Sequence, residues 1–180
     1  MTRFEQIETP RLVIRRFRAT DAPGFAAYRS LPGVARYQSW DAPYPLDRAT
    51  AFIAELAGAE PGTPGMWFQF AIEERATGGL VGDCALQVDR DDPTCGELGF
   101  TLDPACQGKG YATEAAAALV DLAHRQLGVD RVVAVTDGRN DRSIAVLERL
   151  GFSRGGTERT TFKGEACEEH TYELVRRMPA

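Results

Sequence analysis

The stretch Cys106 to Ala115, CQGKGYATEA, constrains this chain more than any other. Two glycines bracket a lysine directly before an alanine-rich run in which Tyr111, Ala115, Leu119 and Leu122 fall on one helical stripe. A helix is predicted from about Gly110 to Arg125. Flexible residues at the mouth of a long helix serve one of two ends. Glycine turns the backbone cheaply, and without a Cβ it lets the amides of a helix start press against a phosphate.

The segments on either side have their own periodicities. RLVIRRFR (Arg11 to Arg18) reads as a strand. Thr20 and Asp21 offer a helix cap with Pro23 in the first turn, and Asp47 caps a second helix with Phe52, Ile53 and Leu56 inward. Leu31 to Pro45 is irregular and carries exposed-looking aromatics, Tyr37, Trp40 and Tyr44. Three strands follow. Phe68, Phe70 and Ile72 oppose Trp67; Cys84, Leu86 and Val88 oppose Asp83, Ala85 and Gln87; Leu98, Phe100 and Leu102 oppose Glu97, Gly99 and Thr101. Turn residues between them make an antiparallel meander. RVVAVT (Arg131 to Thr136) is nearly all apolar and is predicted to be covered on both faces. NDRSIAVLERLGF reads as a capped helix with Ile144, Leu147 and Leu150 inward, and a last hairpin turns near Lys163 and Gly164. The order β, α, α, three β, α, β, α, β, β predicts an α/β (α+β) fold with a mixed, mostly antiparallel sheet flanked by helices. At 180 residues the chain forms one domain, 1–180, with its core at about 10–177.

Charge and cysteines narrow the function classes. The 21 basic and 26 acidic side chains leave a net charge of −5, with no electrostatic footprint for nucleic acid. The four cysteines form no Cys-x-x-Cys pair, and His124 and His170 lie at no ligand spacing from them, so free thiols and no metal are expected. The amino terminus lacks the apolar core of a signal peptide, and no apolar run reaches spanning length. A cytoplasmic protein with no membrane partner is the expectation.

Of two phosphate-binding patterns, one matches weakly and the other fails. A dinucleotide fingerprint meets Thr113 where its third glycine belongs, and a Walker loop meets Gly110 where serine or threonine belongs. Gln107-Gly108-Lys109-Gly110-Tyr111-Ala112 instead resembles the Gln/Arg-x-x-Gly-x-Gly/Ala signature of the GNAT N-acetyltransferase superfamily. ETPRLVIRRF, CGELGFTLDP and NDRSIAVLERLGF stand in the order found in its ribosomal-protein-alanine acetyltransferase subgroup. The resemblance implies a splayed sheet and acetyl-CoA as cosubstrate. Its pyrophosphate would meet the backbone of Gln107, Gly108, Lys109, Gly110, Tyr111, Ala112 and Thr113, with the Lys109 charge either a contact or merely solvated. Pantetheine would lie along the backbone of Phe100, Thr101 and Leu102. Asn140 and Ser143 would join it, although Asn140 reads equally as a plain helix N-cap.

Amine acetylation needs a neutral amine and a route for protons. Glu97 is the candidate base, with a solvated surface carboxylate as the competing reading; Glu73 and Glu74 are weaker choices. Many members of the family carry a tyrosine acid seven residues after the Asn140 position, where this chain has Leu147. Ser143 is then the nearest hydroxyl and a candidate proton relay. Cys106 as an acyl carrier would want a histidine that it lacks. Arg36, Tyr37 and Trp40 either wall the acceptor site or cover the core. The expected activity is direct acetyl transfer to a primary amine, first a protein or peptide N-terminal α-amine. A small-molecule amine and a non-catalytic acyl-CoA-binding module are the alternatives, and a homodimer is allowed for.

Overall fold

The computed structural model describes residues 4–176. Eight strands form one sheet: β1 (Gln6–Glu8), β2 (Leu12–Arg15), β3 (Trp67–Glu74), β4 (Leu80–Val88), β5 (Cys95–Leu102), β6 (Arg131–Asp137), β7 (Ser153–Phe162) and β8 (Glu165–Val175). Their order is β1-β2-β3-β4-β5-β6-β8-β7, and every pairing is antiparallel except β5 with β6. The predicted mixed sheet, the meander and the final hairpin are therefore present. β1 was not foreseen. Three residues folded back over Thr9 and Pro10 are too short to show a period, and pairing with β2 defines them.

Among the described residues, five α-helices flank the sheet: α1 (Ala22–Arg29), α2 (Pro32–Ala35), α3 (Leu46–Leu56), α4 (Tyr111–Gln126) and α5 (Asp141–Arg149). The stripe of α4 is buried as its spacing predicts. Tyr111, Ala115, Leu119 and Leu122 join Phe68, Phe70, Leu86 and Leu98 in the main core. A second core gathers Phe25, Tyr28, Trp40, Tyr44, Ala49 and Ile53 of α1, α3 and the segment between them. This corrects the exposed aromatics: Trp40 is 7% and Tyr44 4% exposed.

The buried Arg29 explains why. Its guanidinium lies 3.8 Å from the Trp40 ring and 4.0 Å from that of Phe25, and it pairs at 3.0 Å with Asp83, which is wholly buried on β4. Tyr28 and Gln69 also donate to the Asp83 carboxylate. A charge this deep survives only when paired and hydrogen-bonded, and the aromatic rings supply a favourable quadrupole around the cation.

Three local expectations also change. Asp21 does not cap α1 with its side chain; it takes the Arg15 guanidinium at 2.7 Å and the Arg18 amide at 2.7 Å. Asp47 lies in the first turn of α3, behind Pro45 at the cap. β6 is covered on one face only, since Val135 is 46% exposed. Among the described residues, no helix is long and apolar enough to cross a membrane.

Candidate active site

The site begins with a short pairing. β5 and β6 run parallel for three residue pairs, Cys95 with Arg131, Gly96 with Val132 and Glu97 with Val133, and then diverge. Beyond that point β5 keeps its ladder to β4, while β6 pairs only with β8. A cleft opens between the facing edges, lined by Leu98, Gly99 and Phe100 from β5 and by Ala134 to Asp137 from β6. Asn140, Ser143 and Leu147 of α5 and its cap complete the lining with Tyr37, Gln38, Phe162 and Glu169. Strand edges that part in this way leave backbone groups to which an extended amide can pair as an added strand.

Of the strand residues predicted to meet pantetheine, Phe100 lines the cleft with its side chain. Thr101 and Leu102 are buried and could contribute only backbone groups.

The glycine loop sits above the splay. Asp103 Oδ1 accepts the Ala105 amide at 2.9 Å and starts a short 3₁₀ turn, Pro104–Cys106. The loop side chains are occupied in holding it together. Gln107 Nε2 donates to the Leu102 carbonyl at 3.2 Å, and Gln107 Oε1 accepts from Arg142. Gly108 and Gly110 have φ of 76° and 81°, a left-handed conformation that costs L-residues with a Cβ. A Cβ at Gly108 would meet no protein atom within 4 Å, so the chain leaves the space beside it open. Gly110 caps α4 with no side-chain hydrogen bond, which leaves amides of the first turn available to a ligand.

The Tyr111 ring is turned into the core, and its hydroxyl donates to Glu74. Ala112 packs at the core's edge. Both can serve an anion only through backbone N–H groups.

Sequence reasoning missed the basic ring. Arg11 donates to the Lys109 carbonyl at 2.7 Å, Arg142 to Gln107, and Arg149 to Thr113 Oγ1 at 3.3 Å. With exposed Lys109 they place basic side chains around the loop in a chain of net charge −5, and Arg11 is at the same time paired at 2.7 Å with Glu114 in the first turn of α4. These arginines are scattered along the sequence, and only the fold assembles them.

Glu97 stands on β5 level with Gln87 of β4 and Val133 of β6, beside the point of divergence. It is half-buried, and burial first and the charge of Glu169 second push its pKa above the usual carboxylate range. Glu169 gave no sequence signal; the register of β8 opposite Asp137 brings it to the cleft. Asp137 itself is held low by its 2.7 Å pair with Arg139. Glu73 is taken up by Arg15 and Arg18, and Glu74 by Tyr111 and Thr77, so neither is free to act as a base.

Asn140 caps α5, accepting the Ser143 amide at 3.3 Å, and also lines the cleft; the two readings of this residue coexist. Leu147, 1% exposed, is core packing that forms part of the cleft floor. Cys106 has its thiol pushed up by burial and by Asp103, the opposite of an activated nucleophile.

Tyr37 lines the cleft and donates to the Arg139 carbonyl at 3.3 Å. Arg36 lines an adjoining groove with Arg139, Phe162 and Lys163. Trp40 reaches neither; its indole donates to the Arg29 carbonyl at 3.1 Å inside the second core.

The parted strands, the two left-handed glycines with open space beside Gly108, the helix start without a side-chain cap and the arginine ring fit a ligand that joins an extended amide chain to phosphates. Comparison with known proteins agrees. A family model described as an acetyltransferase (GNAT) domain matches residues 11–153. An uncharacterized N-acetyltransferase, p20 of Bacillus licheniformis, is 26% identical over 96% of this chain and 97% of its own length. The crystal structure of a GNAT-family acetyltransferase from Bacillus anthracis superposes with a TM-score of 0.84 at 24% identity, covering 94% of this chain and 98% of that one. A ribosomal L7/L12 α-N-protein acetyltransferase, RimL, solved with coenzyme A, gives 0.80 at 18% identity over 95% and 98% of the two chains. At such identities the structural matches establish the fold alone.

Proposed function

The chain belongs to the GNAT acetyltransferase family, and from that premise we propose that it moves acetyl from acetyl-CoA directly to a primary amine, with a protein or peptide N-terminal α-amine as acceptor. The observation that carries this is the cleft that opens where β5 and β6 part, just beyond Glu97, the last residue of β5 to pair with β6. Acetyl-CoA brings an acetyl thioester. The amides from Gly108 to Thr113, the α4 dipole and the arginine ring hold the phosphates, and the edges of β5 and β6 align the pantetheine amides.

Glu97, with its raised affinity for a proton, takes one from the acceptor ammonium directly or through water. The freed amine attacks the carbonyl, the C–N bond forms, and the C–S bond breaks. The departing thiolate takes a proton through water ordered by Ser143 on the cleft wall. A thiol pKa of about 8.5 makes the thiolate a tolerable leaving group, so no strong acid is demanded. The α-amine assignment rests on the subgroup resemblance of the sequence blocks. A second reading, an acyl-CoA-binding module without turnover, is favoured by one observation: Leu147 is packed where many relatives carry the acid.

The acceptor class is tested by incubating the protein and acetyl-CoA with peptides free or blocked at the N-terminus, polyamines and aminoglycosides. The expected result is acetyl on the peptide α-nitrogen, located by fragmentation mass spectrometry. Acetylation of only the small amines overturns the peptide assignment and keeps the chemistry. Thiol release on none of them supports the binding module.

A further inference from the structure

Lys163 is the single non-glycine residue among the described residues with a positive φ, 51°. It occupies the first position of the two-residue turn between β7 and β8, followed by Gly164 at 81°. Turns with both central residues left-handed are best filled by Asn-Gly or Gly-Gly, because a Cβ crowds the following carbonyl in that conformation. A lysine here is kept against the preference of the backbone, which directs attention to its side chain.

That side chain crosses to another part of the molecule. Its ammonium donates to the Ala35 carbonyl at 2.9 Å, across 128 residues of sequence, and also to the Trp40 carbonyl. It pairs with Asp41 Oδ1 at 3.1 Å. Three acceptors match the three donors of an ammonium group. They bracket residues 35–41, the segment whose Tyr37 and Gln38 line the cleft. Phe162, next to Lys163, lines the same cleft. Tyr37 adds a single longer bond from this segment, its Oη to the Arg139 carbonyl at 3.3 Å, beside the α5 cap.

We propose that Lys163 is a positioning residue for the acceptor, a clasp that holds the 35–41 wall against the tip of the β7–β8 hairpin. The proposal rests on the reading of the cleft as an acetyl-transfer site. Opening the clasp frees the wall that meets the amine. The phosphate end is untouched, because the loop from Gln107 to Thr113 is held by other residues, Arg11, Arg142 and Arg149.

Lys163→Asn separates this role from plain fold support. Asparagine suits the turn better than lysine, so the thermal midpoint should stay close to that of the parent or rise. Without the charge-assisted anchor, the acceptor KM should rise by roughly tenfold, while kcat and the acetyl-CoA KM stay within about twofold. Amide hydrogen exchange should quicken at residues 35–41 and be unchanged in α4. Lys163→Arg keeps a cation of similar reach and should recover most of the acceptor KM. Unchanged exchange at 35–41, an unchanged acceptor KM, or an acetyl-CoA KM rising in parallel would each overturn the proposal. If the parent acetylates no amine, the transfer reading falls, and the exchange measurement still decides whether Lys163 holds the wall.

Discussion

Glu97 is a carboxylate held where ionisation is unfavourable, and that has two readable consequences. As a base it must lose its proton before it can accept one, so kcat/KM should fall as pH drops through its raised pKa. Glu97→Gln removes that limb, slows the reaction most near neutral pH and recovers as pH nears the pKa of the amine. Stability carries the opposite sign. The folded state binds the Glu97 proton more tightly than the unfolded state, so ionisation destabilises the fold as pH rises from the unfolded to the folded pKa. Glu97→Gln should therefore raise the thermal midpoint at neutral pH and lose that advantage in acid. A pH–rate profile identical to the parent's would make Glu97 an ordinary surface carboxylate. Leu147 is a packing residue, and a phenol placed there overfills its site; Leu147→Tyr should cost about 1–3 kcal/mol of stability with no gain in turnover. Glu97 was legible because strand alternation set it opposite Leu98 and Phe100. Trp40 was not, because nothing in the spacing of aromatics announces that Arg29 is buried among them. The carboxylate of Glu169 was not legible either, because it reaches the cleft only through the register of β8 against β6.

At the level of elements, the loop and α4 were the most legible parts of the chain. A glycine pair before an alanine-rich stripe leaves few ways to fold, and the helix begins at Tyr111 as its spacing predicts. The divergence of β5 from β6 was inferred through family resemblance, since no local pattern tells a strand where its neighbour leaves it. The exposed face of β6 escaped notice for a related reason. An all-apolar run looks covered on both sides, whereas here Val135 faces a cleft. Gly108→Ala tests the loop as an element. The new methyl touches no protein atom but imposes a left-handed alanine, costing the loop about 1–2 kcal/mol. The acetyl-CoA KM should rise by roughly an order of magnitude while the acceptor KM holds. Thermal denaturation without ligand should shift down by only a few degrees, the size this strain implies for a chain of this length. An acetyl-CoA KM equal to the parent's would reduce the two glycines to a turn.

Across the whole molecule, one sheet carries two cores that approach the cleft from opposite directions. The main core under α4 fixes the phosphate loop, while the second core under α1 and α3 carries the wall that Lys163 fastens. The Arg29–Asp83 pair ties that second core to the centre of the sheet. The distribution of charge supports the same division. A net charge of −5 gave no hint of an anion site, yet four basic side chains converge on the loop once the chain is folded. Acetyl transfer to an amine is the function this arrangement serves. The most direct measurement is thiol release from acetyl-CoA, followed alongside the mass of the amine in the same reaction. One thiol freed for each acetylated amine, with no acetyl retained on the protein, is the predicted result. Acetyl-CoA bound tightly, with no thiol released in the presence of any amine, would contradict it.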